Sequence, residues 1–186
     1  MAKVNYNVVM HGVSGQIGDL LTFIQRHGKT YVGKIRKQPS NISPEQQAIR
    51  DKFKLAAKFA KSSIKDPAIK ALYEERAGGG VTPYNLAIVD YWAAPFIDSI
   101  NTANYNGAVG STIEVQATDD TKVTEVTVSI ASAAGVVLEE GLAVMNAESE
   151  TWHYTATAVN ASLAGTIIKA IAKDLPGNST EMEKVL

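Results

Sequence analysis

The feature that most constrains the fold is a change in the spacing of apolar residues near Pro95. Between Ser43 and Pro95 they recur every three or four residues, as on one face of a helix, whereas after Pro95 they alternate with polar residues. Alternation with one apolar face is typical of an antiparallel sheet that another sheet covers on one side. The alternating positions are Ile113, Val115 and Ala117; Val126, Val128 and Ile130; Trp152, Tyr154, Ala156 and Ala158; and Ile168, Ala170 and Ala172.

Turn-forming clusters separate these alternating runs. The clusters lie at Asp119-Asp120, at 132–135, at 139–141 and at 175–178. About seven short strands at this spacing predict an all-β sandwich of immunoglobulin type after residue 94. We expect Glu139 and Glu140 to form a solvated edge, because charge on an edge strand discourages unwanted strand pairing.

Three segments of the second half carry a family resemblance: "IEVQATDDTKVTEVTVSIASAAGVVLEEGLA", "WHYTATA" and "IKAIAKDLPGNSTE". They contain an Ala-x-Asp at the end of one strand, a Trp-x-Tyr on a middle strand and an Asp-x-x-Gly-Asn turn. In these features residues 97–186 resemble the bacterial immunoglobulin-like and cadherin-like domains of surface and adhesive proteins. The resemblance implies a β-sandwich but no single function, because such domains serve as spacers, decorations and binding modules.

The first half contains three helix-start signals. Ser43-Pro44 with Gln46 is a capped start with a capping box, and it predicts a helix that ends near Ser63. Asp66-Pro67 predicts a second helix through Arg76, and Thr82-Pro83 predicts the start of a third. The first helix should bury one apolar stripe: Ile49, Phe53, Ala56, Ala60 and Ile64.

The stretch "RHGKTYVGK" contains Gly28-Lys29-Thr30, which matches the last residues of a nucleotide-binding P-loop. That motif needs a further glycine five residues earlier, where this chain has Phe23, and it needs a helix afterwards, where this chain is strand-like. We therefore predict a β-hairpin. Its strands should end near Gln25 and resume near Thr30, around the turn His27-Gly28.

A Gly-rich hairpin with a Gly-Lys pair is followed by a helix with the pattern Gln-x-x-x-Arg-x-x-Phe, here Gln46, Arg50 and Phe53. In these two features the first half is similar to an uncharacterised family associated with Bacteroidetes and their phages, for which no activity is implied. The whole chain is predicted to be α+β. A basic domain of hairpin and helices, 1–94, should precede an acidic immunoglobulin-like sandwich domain, 95–186.

Charge is divided unevenly between the two halves of the chain. Residues 1–92 carry fourteen Lys and Arg against seven Asp and Glu, a net +7, and residues 93–186 carry four against twelve, a net −8. Such asymmetry indicates an electrostatic partner, which is either a polyanion for the basic half or a second copy of the chain.

One face of the first helix is predicted to be a basic ridge, formed by Arg50, Lys54, Lys58, Lys61 and Lys65. It has two interpretations, a solvated helix face and a docking surface for phosphates or carboxylates. Four further basic residues near the hairpin favour the second interpretation: Lys29, Lys34, Arg36 and Lys37. Contacts with phosphates alone would bind nucleic acid without base preference.

The sequence predicts no catalytic site and no cofactor. His11, His27 and His153 lie in separate elements without a zinc-ligand spacing, and the chain contains no cysteine. Three aspartates at predicted strand ends are weak candidates for calcium, because some cadherin-like domains place oxygen ligands there; turn formation is the alternative. They are Asp119, Asp120 and Asp174.

We therefore expect a non-enzymatic structural protein that self-assembles into homo-oligomers, as a filament or as a virion or surface accessory subunit. The alternative is a nonspecific nucleic-acid-binding protein that uses the helix face of residues 50–65. The numbered sequence shows no signal peptide and no apolar run long enough for a membrane span, which predicts a cytoplasmic protein or one assembled into a particle. No small-molecule substrate is expected.

Overall fold

The computed structural model describes residues 2–4, 8–26, 28–35 and 41–186. The described residues form a mixed α+β fold that is mostly β, with three helices and three four-stranded antiparallel sheets. The chain divides into two compact units, Met1–Asp51 and Lys52–Leu186.

The first unit is built on one small sheet. Its strands are β1 (Ala2–Lys3), β2 (Gly15–Ile17), β3 (Leu21–Arg26) and β4 (Lys29–Lys34), in the order β1-β4-β3-β2. The predicted hairpin is confirmed: β3 pairs with β4 from Arg26↔Lys29 outward, and Gly28 has the positive φ of 70° that a tight turn requires. His27 lies outside the described residues.

Polar contacts inside this sheet centre on Thr30, which is buried. Its hydroxyl oxygen accepts hydrogen bonds from Gln25 Nε2 at 2.6 Å and from the backbone N–H of Gly12 at 3.2 Å. Thr30 is therefore a structural residue of the sheet, and Lys29 beside it is a strand residue rather than part of a phosphate-binding loop.

The three helices are α1 (Pro44–Ser63), α2 (Pro67–Arg76) and α3 (Pro83–Asp90). Each begins at a predicted cap. The Ser43 hydroxyl accepts from the N–H of Gln46 while the Gln46 side chain accepts from the N–H of Ser43, both at 3.3 Å. Asp66 caps α2 and Thr82 caps α3 in the same way, each with proline at the first helical position.

The predicted apolar stripe of α1 is only partly correct. Ala56 and Ala60 are fully buried, but Ile49 and Phe53 are 59% and 51% exposed. The buried cluster that joins the helices takes Phe59 and Ala60 from the last turns of α1, together with Tyr73, Ala87, Ile69, Tyr84, Leu86 and Ile88. Periodicity identified the apolar face, while the packing uses the C-terminal part of it.

Eight strands follow Pro95 and form two sheets. The first sheet has the order β5-β6-β10-β9, and the second has the order β12-β11-β7-β8. The chain passes from β8 to β9, and so from one sheet to the other, at Ala143, which divides one run into two strands. Their bounds are β5 (Phe96–Asn101), β6 (Thr112–Thr118), β7 (Val123–Ala131), β8 (Val137–Leu142), β9 (Val144–Asn146), β10 (Thr151–Thr155), β11 (Ile167–Asp174) and β12 (Ser179–Val185).

One hydrophobic core draws residues from both of these sheets. Ile113, Val115, Val126, Val128, Ile130 and Ile168 are completely buried in it. Each such side chain contributes about 1.5–3 kcal/mol to stability through burial. The predicted alternation is confirmed for these strands, whereas Ala158 is half-buried because β10 ends at Thr155.

The unit Lys52–Leu186 contains both helices and sheets, so the compact units do not coincide with the predicted ranges 1–94 and 95–186. Hydrogen bonds connect the helices to the ends of the strands. The Asn178 side-chain N–H donates to the Ala93 carbonyl at 2.7 Å, and Arg76 Nη1 donates to the Thr121 hydroxyl at 3.0 Å. These contacts attach the helices to the sheets within the unit Lys52–Leu186.

Candidate interaction surfaces

The basic ridge is present as a surface of α1. Arg50, Lys54, Lys58 and Lys61 follow one another at three- or four-residue intervals, Lys65 lies two residues beyond the helix end, and all five side chains are exposed. Because residues spaced in this way lie on one side of a helix, the ridge presents a row of cations to solvent.

The basic residues near the hairpin are not placed on this ridge by the described structure. Lys29 and Lys34 are exposed at the two ends of β4, in the unit Met1–Asp51, whereas Lys54 to Lys65 belong to the other unit. Arg36 and Lys37 lie outside the described residues.

The three calcium candidates make the contacts expected of turn residues. Asp119 Oδ2 accepts from the N–H groups of Thr121 and Lys122, both at 2.9 Å. Asp174 Oδ1 accepts from two N–H groups of its own turn, and Asp120 is exposed with its carboxylate 3.9 Å from the Arg76 guanidinium. Within the described ranges, no group of three or more His, Asp or Glu side chains is placed to hold a metal ion.

A buried polar cluster lies where the helices meet the sheets. Tyr73 of α2 donates its hydroxyl to Asp90 Oδ2 of α3 at 2.7 Å, while Asp90 Oδ1 is buried and has no hydrogen-bond partner among the described residues. Burial raises the pKa of Asp90, and the charges of Asp119 and Asp174 add to the increase, against the hydroxyls of Thr121 and Tyr73.

Two neighbours of Asp90 share this environment. Burial also raises the pKa of Asp174, against the hydrogen bonds from Asn178 and Gly177 that favour its charged form. The pKa of Tyr73 is raised by burial and by its hydrogen bond to Asp90. The sequence interpretation missed this cluster, although an aspartate within the apolar run "LAIVDYW" was a visible signal.

Glu139 is folded inward instead of standing at the solvated edge that the sequence predicts. Its Oε2 accepts from the Thr157 N–H at 2.7 Å, the Thr157 hydroxyl at 2.8 Å, the Tyr154 hydroxyl at 3.0 Å and the Ala158 N–H at 3.1 Å. Burial alone would raise the pKa of Glu139, but these hydrogen bonds outweigh it and hold the pKa below its ordinary value. Glu140 is exposed as expected.

The described histidines are separate. His11 is exposed, and His153 lies on the outer side of its sheet, where its Nε2 is 2.9 Å from the Thr151 hydroxyl oxygen. Neither has the surroundings of a metal ligand within the part of the chain that the structure describes.

The second unit exposes a run of large apolar side chains at residues 136–146, which we call the apolar edge. It comprises β8, Ala143 and β9, preceded by Val136, and it forms one outer border of both sheets. The fractional exposures are 62% for Val136, 58% for Val137, 39% for Leu138, 62% for Leu142, 72% for Val144 and 45% for Met145. Because exposed apolar side chains gathered in one region are a feature of interaction surfaces, the apolar edge is a candidate interaction surface.

A groove of about 630 Å³ begins beside β9. Ala117, Val123, Met145 and Trp152 contribute apolar lining, and Asp119 and Lys122 lie among its polar residues. The indole N–H of Trp152 is buried, and no described residue accepts a hydrogen bond from it. The groove is open to solvent, and its apolar lining provides space for an apolar group.

Comparison of the chain with protein-family models, with curated proteins and with solved structures finds no match. Among the described residues, no helix has both the length and the apolar character needed to cross a membrane. The exposed surfaces of the chain are therefore the features from which a function can be inferred.

Proposed function

We propose that the protein is a non-enzymatic structural subunit that assembles with copies of itself, the basic part of one copy contacting the acidic sheets of another. The observation that carries this proposal is the charge division between residues 1–92 and 93–186, +7 against −8, which the two compact units 1–51 and 52–186 retain as +4 against −5. Opposite charges on different parts of one chain favour a heterologous contact, which produces rings or open filaments. A filament subunit or a virion or surface accessory protein fits this description.

The exposed charges support an intermolecular role. All five cations of the ridge are exposed, as are Asp120, Glu140, Glu148 and Glu150 on the strand-rich part. The ion pair described between the helices and the sheets, Arg76 with Asp120, is 3.9 Å long and exposed, so it neutralises little of the charge difference.

An immunoglobulin-like sandwich is part of the same proposal. If β5, β6, β7 and β8 are taken as strands A, B, C and C′, the two sheet orders become A-B-E-D and G-F-C-C′. This is the arrangement of immunoglobulin-type sandwiches, and the core shared by both sheets supports it as well. Sandwiches of this kind commonly serve as spacers and binding modules, which agrees with a structural subunit.

Light scattering after size-exclusion chromatography tests the proposal over a range of protein and salt concentrations. We expect species larger than one chain at low salt that dissociate as salt screens the charges. Simultaneous Lys54→Ala, Lys58→Ala and Lys61→Ala should weaken assembly, while Lys→Arg at the same three positions should preserve it because the charge is retained. A single-chain mass under all conditions would refute the proposal.

Nucleic-acid binding is the second candidate, favoured by the row of cations along α1. The same variants distinguish it. A monomer that retards DNA of any sequence, with an affinity that falls steeply with salt and with loss of the lysines, would support this candidate against self-assembly.

A further inference from the structure

Within the described ranges, the apolar edge is paired along one side only and also has exposed side chains. β8 pairs with β7 and β9 pairs with β10, and each is the last described strand of its sheet. The outward N–H and C=O groups of an edge strand are free to pair with another strand, which makes such an edge a template for strand addition.

The negative charges around the apolar edge favour a positively charged partner. No Lys or Arg occurs between Lys122 and Lys169, whereas Glu140, Glu148 and Glu150 are exposed in that interval. Glu139, which would otherwise block the edge, is directed inward to Thr157 and Tyr154. The backbone of β8 and β9 is therefore accessible, and the exposed charged side chains of this interval are negative.

The opposite border of the same sheets differs. β12 carries Glu181, Glu183 and Lys184, and the Lys184 amine donates to the Ile100 carbonyl of β5 at 2.8 Å, connecting the two sheets. Charges of this kind protect an edge from pairing. The contrast between the two borders indicates that the apolar edge is the one left available.

The first unit offers a matching free edge. Among the residues that the structure describes, β2 is the last strand of its sheet and its three residues are all exposed; Ile17 is 56% exposed and Leu20, three residues later, is 74% exposed. Asp19 is the charged residue nearest to β2 in the sequence, while residues 1–51 as a whole contain seven Lys and Arg against three Asp and Glu, a net +4. This sign is complementary to the surroundings of the apolar edge.

We propose that β2 of one copy adds to the apolar edge of a second copy, joining a sheet of one subunit to a sheet of the next. β2 and β9 are both three residues long, so a short ladder between them uses the whole of each strand. The groove beside β9 receives an apolar side chain of the incoming segment against Met145 and Trp152. This inference rests on the proposed self-assembly and identifies the surfaces that carry it.

Cysteine cross-linking tests the pairing directly, because the chain has no cysteine of its own. Ile17→Cys on one population is mixed with Val144→Cys or Leu142→Cys on another, and the mixture is oxidised mildly. A disulfide needs Cα atoms about 4.4–6.8 Å apart, so a dimer that forms only in the mixture reports strand pairing. Val185→Cys, also at an exposed valine, is the matched control and should give no cross-link with Ile17→Cys.

Blocking the edge provides the second measurement. Val144→Lys should raise the protein concentration needed for half-assembly by about tenfold or more, whereas Val185→Lys should leave it unchanged. Circular dichroism of both variants verifies that the sheets still form.

The possible results separate this inference from the proposed function. If assembly depends on salt, but Val144→Lys does not weaken it and the cysteine pairs form no cross-link, the inference is overturned and the proposed function remains intact. A disulfide formed within single chains of an Ile17→Cys/Val144→Cys double variant would overturn the role of a second copy. A monomer under every condition would overturn both proposals.

Discussion

Replacing Asp90 by asparagine should stabilise the protein at neutral pH. Asp90 is 2% exposed, and the Tyr73 hydroxyl donates a hydrogen bond to one of its carboxylate oxygens. The other oxygen is buried and has no partner in the part of the chain that the structure describes. Asparagine keeps an oxygen acceptor for Tyr73 and removes the buried negative charge that lies close to Asp119 and Asp174. The amide nitrogen takes the place of the unpartnered oxygen, so the gain comes from removing the buried charge; we expect it to be about 1 kcal/mol, the order of free energy that such a change in pKa represents.

The pH dependence of this gain follows from the direction of the pKa change. Burial raises the pKa of Asp90 in the folded chain above that in the unfolded chain. Protonation of Asp90 therefore supports folding fully below the unfolded pKa, and this support is lost as pH rises through the folded pKa. The advantage of Asp90→Asn should be largest near pH 7 and should shrink as the solution is acidified.

Urea unfolding at several pH values measures the gain in stability of Asp90→Asn and the dependence of that gain on pH. Asp90→Asn should shift the midpoint upward without changing the slope, and Glu140→Gln, at an exposed carboxylate, should leave the free energy of unfolding almost unchanged. The reasoning would be refuted if Asp90→Asn were no more stable than the parent protein at pH 7, or if its advantage did not vary with pH.

Two further substitutions test other parts of the second unit. Gly141→Ala would place a Cβ 2.9 Å from Cε2 of Tyr154, so we expect a loss of about 1–3 kcal/mol in thermal or urea unfolding; an unchanged stability would contradict the packing described between β8 and β10. Glu139→Gln removes the charge that accepts hydrogen bonds from Tyr154, Thr157 and Ala158, and it should cost about 1–2 kcal/mol at neutral pH. Because the pKa of Glu139 is lowered in the folded chain, its contribution to stability is present above the unfolded pKa and is lost as pH falls through the folded pKa. The stability deficit of Glu139→Gln should therefore shrink on acidification, and a deficit that grew would contradict this account.

The local elements were largely predictable because their signals are local. Serine, aspartate or threonine followed by proline marks each helix start, and the period-two pattern places residues such as Val126 and Val128 on the buried side. The hairpin at Gly28 was predictable for the same reason, since only neighbouring residues decide whether the turn can form.

What depends on distant residues was not predictable. The helical period shows that Ile49 and Phe53 share a face with Ala60, but it does not show how far along α1 the packing partners extend. The inward turn of Glu139 likewise depends on Thr157, eighteen positions away, and the partner of Asp90 is on a different helix. Charge counting identified the asymmetry of the chain, whereas the apolar edge emerged only when both sheets could be seen to end there.

Asn178 has a mechanical consequence for a subunit of an assembly. Its single amide nitrogen reaches the Ala93 carbonyl at 2.7 Å and the Asp174 carboxylate at 2.8 Å, with the carbonyls of Tyr91 and Asp90 at 3.4 and 3.5 Å. A tension that draws the end of α3 away from the β11–β12 turn therefore loads the bonds from Asn178 to the carbonyls of Ala93, Tyr91 and Asp90, while the bond to Asp174 holds the amide within its own turn. When the chain is pulled, the hydrogen bonds between Asn178 and the end of α3 should break before those between the strands of the sheets.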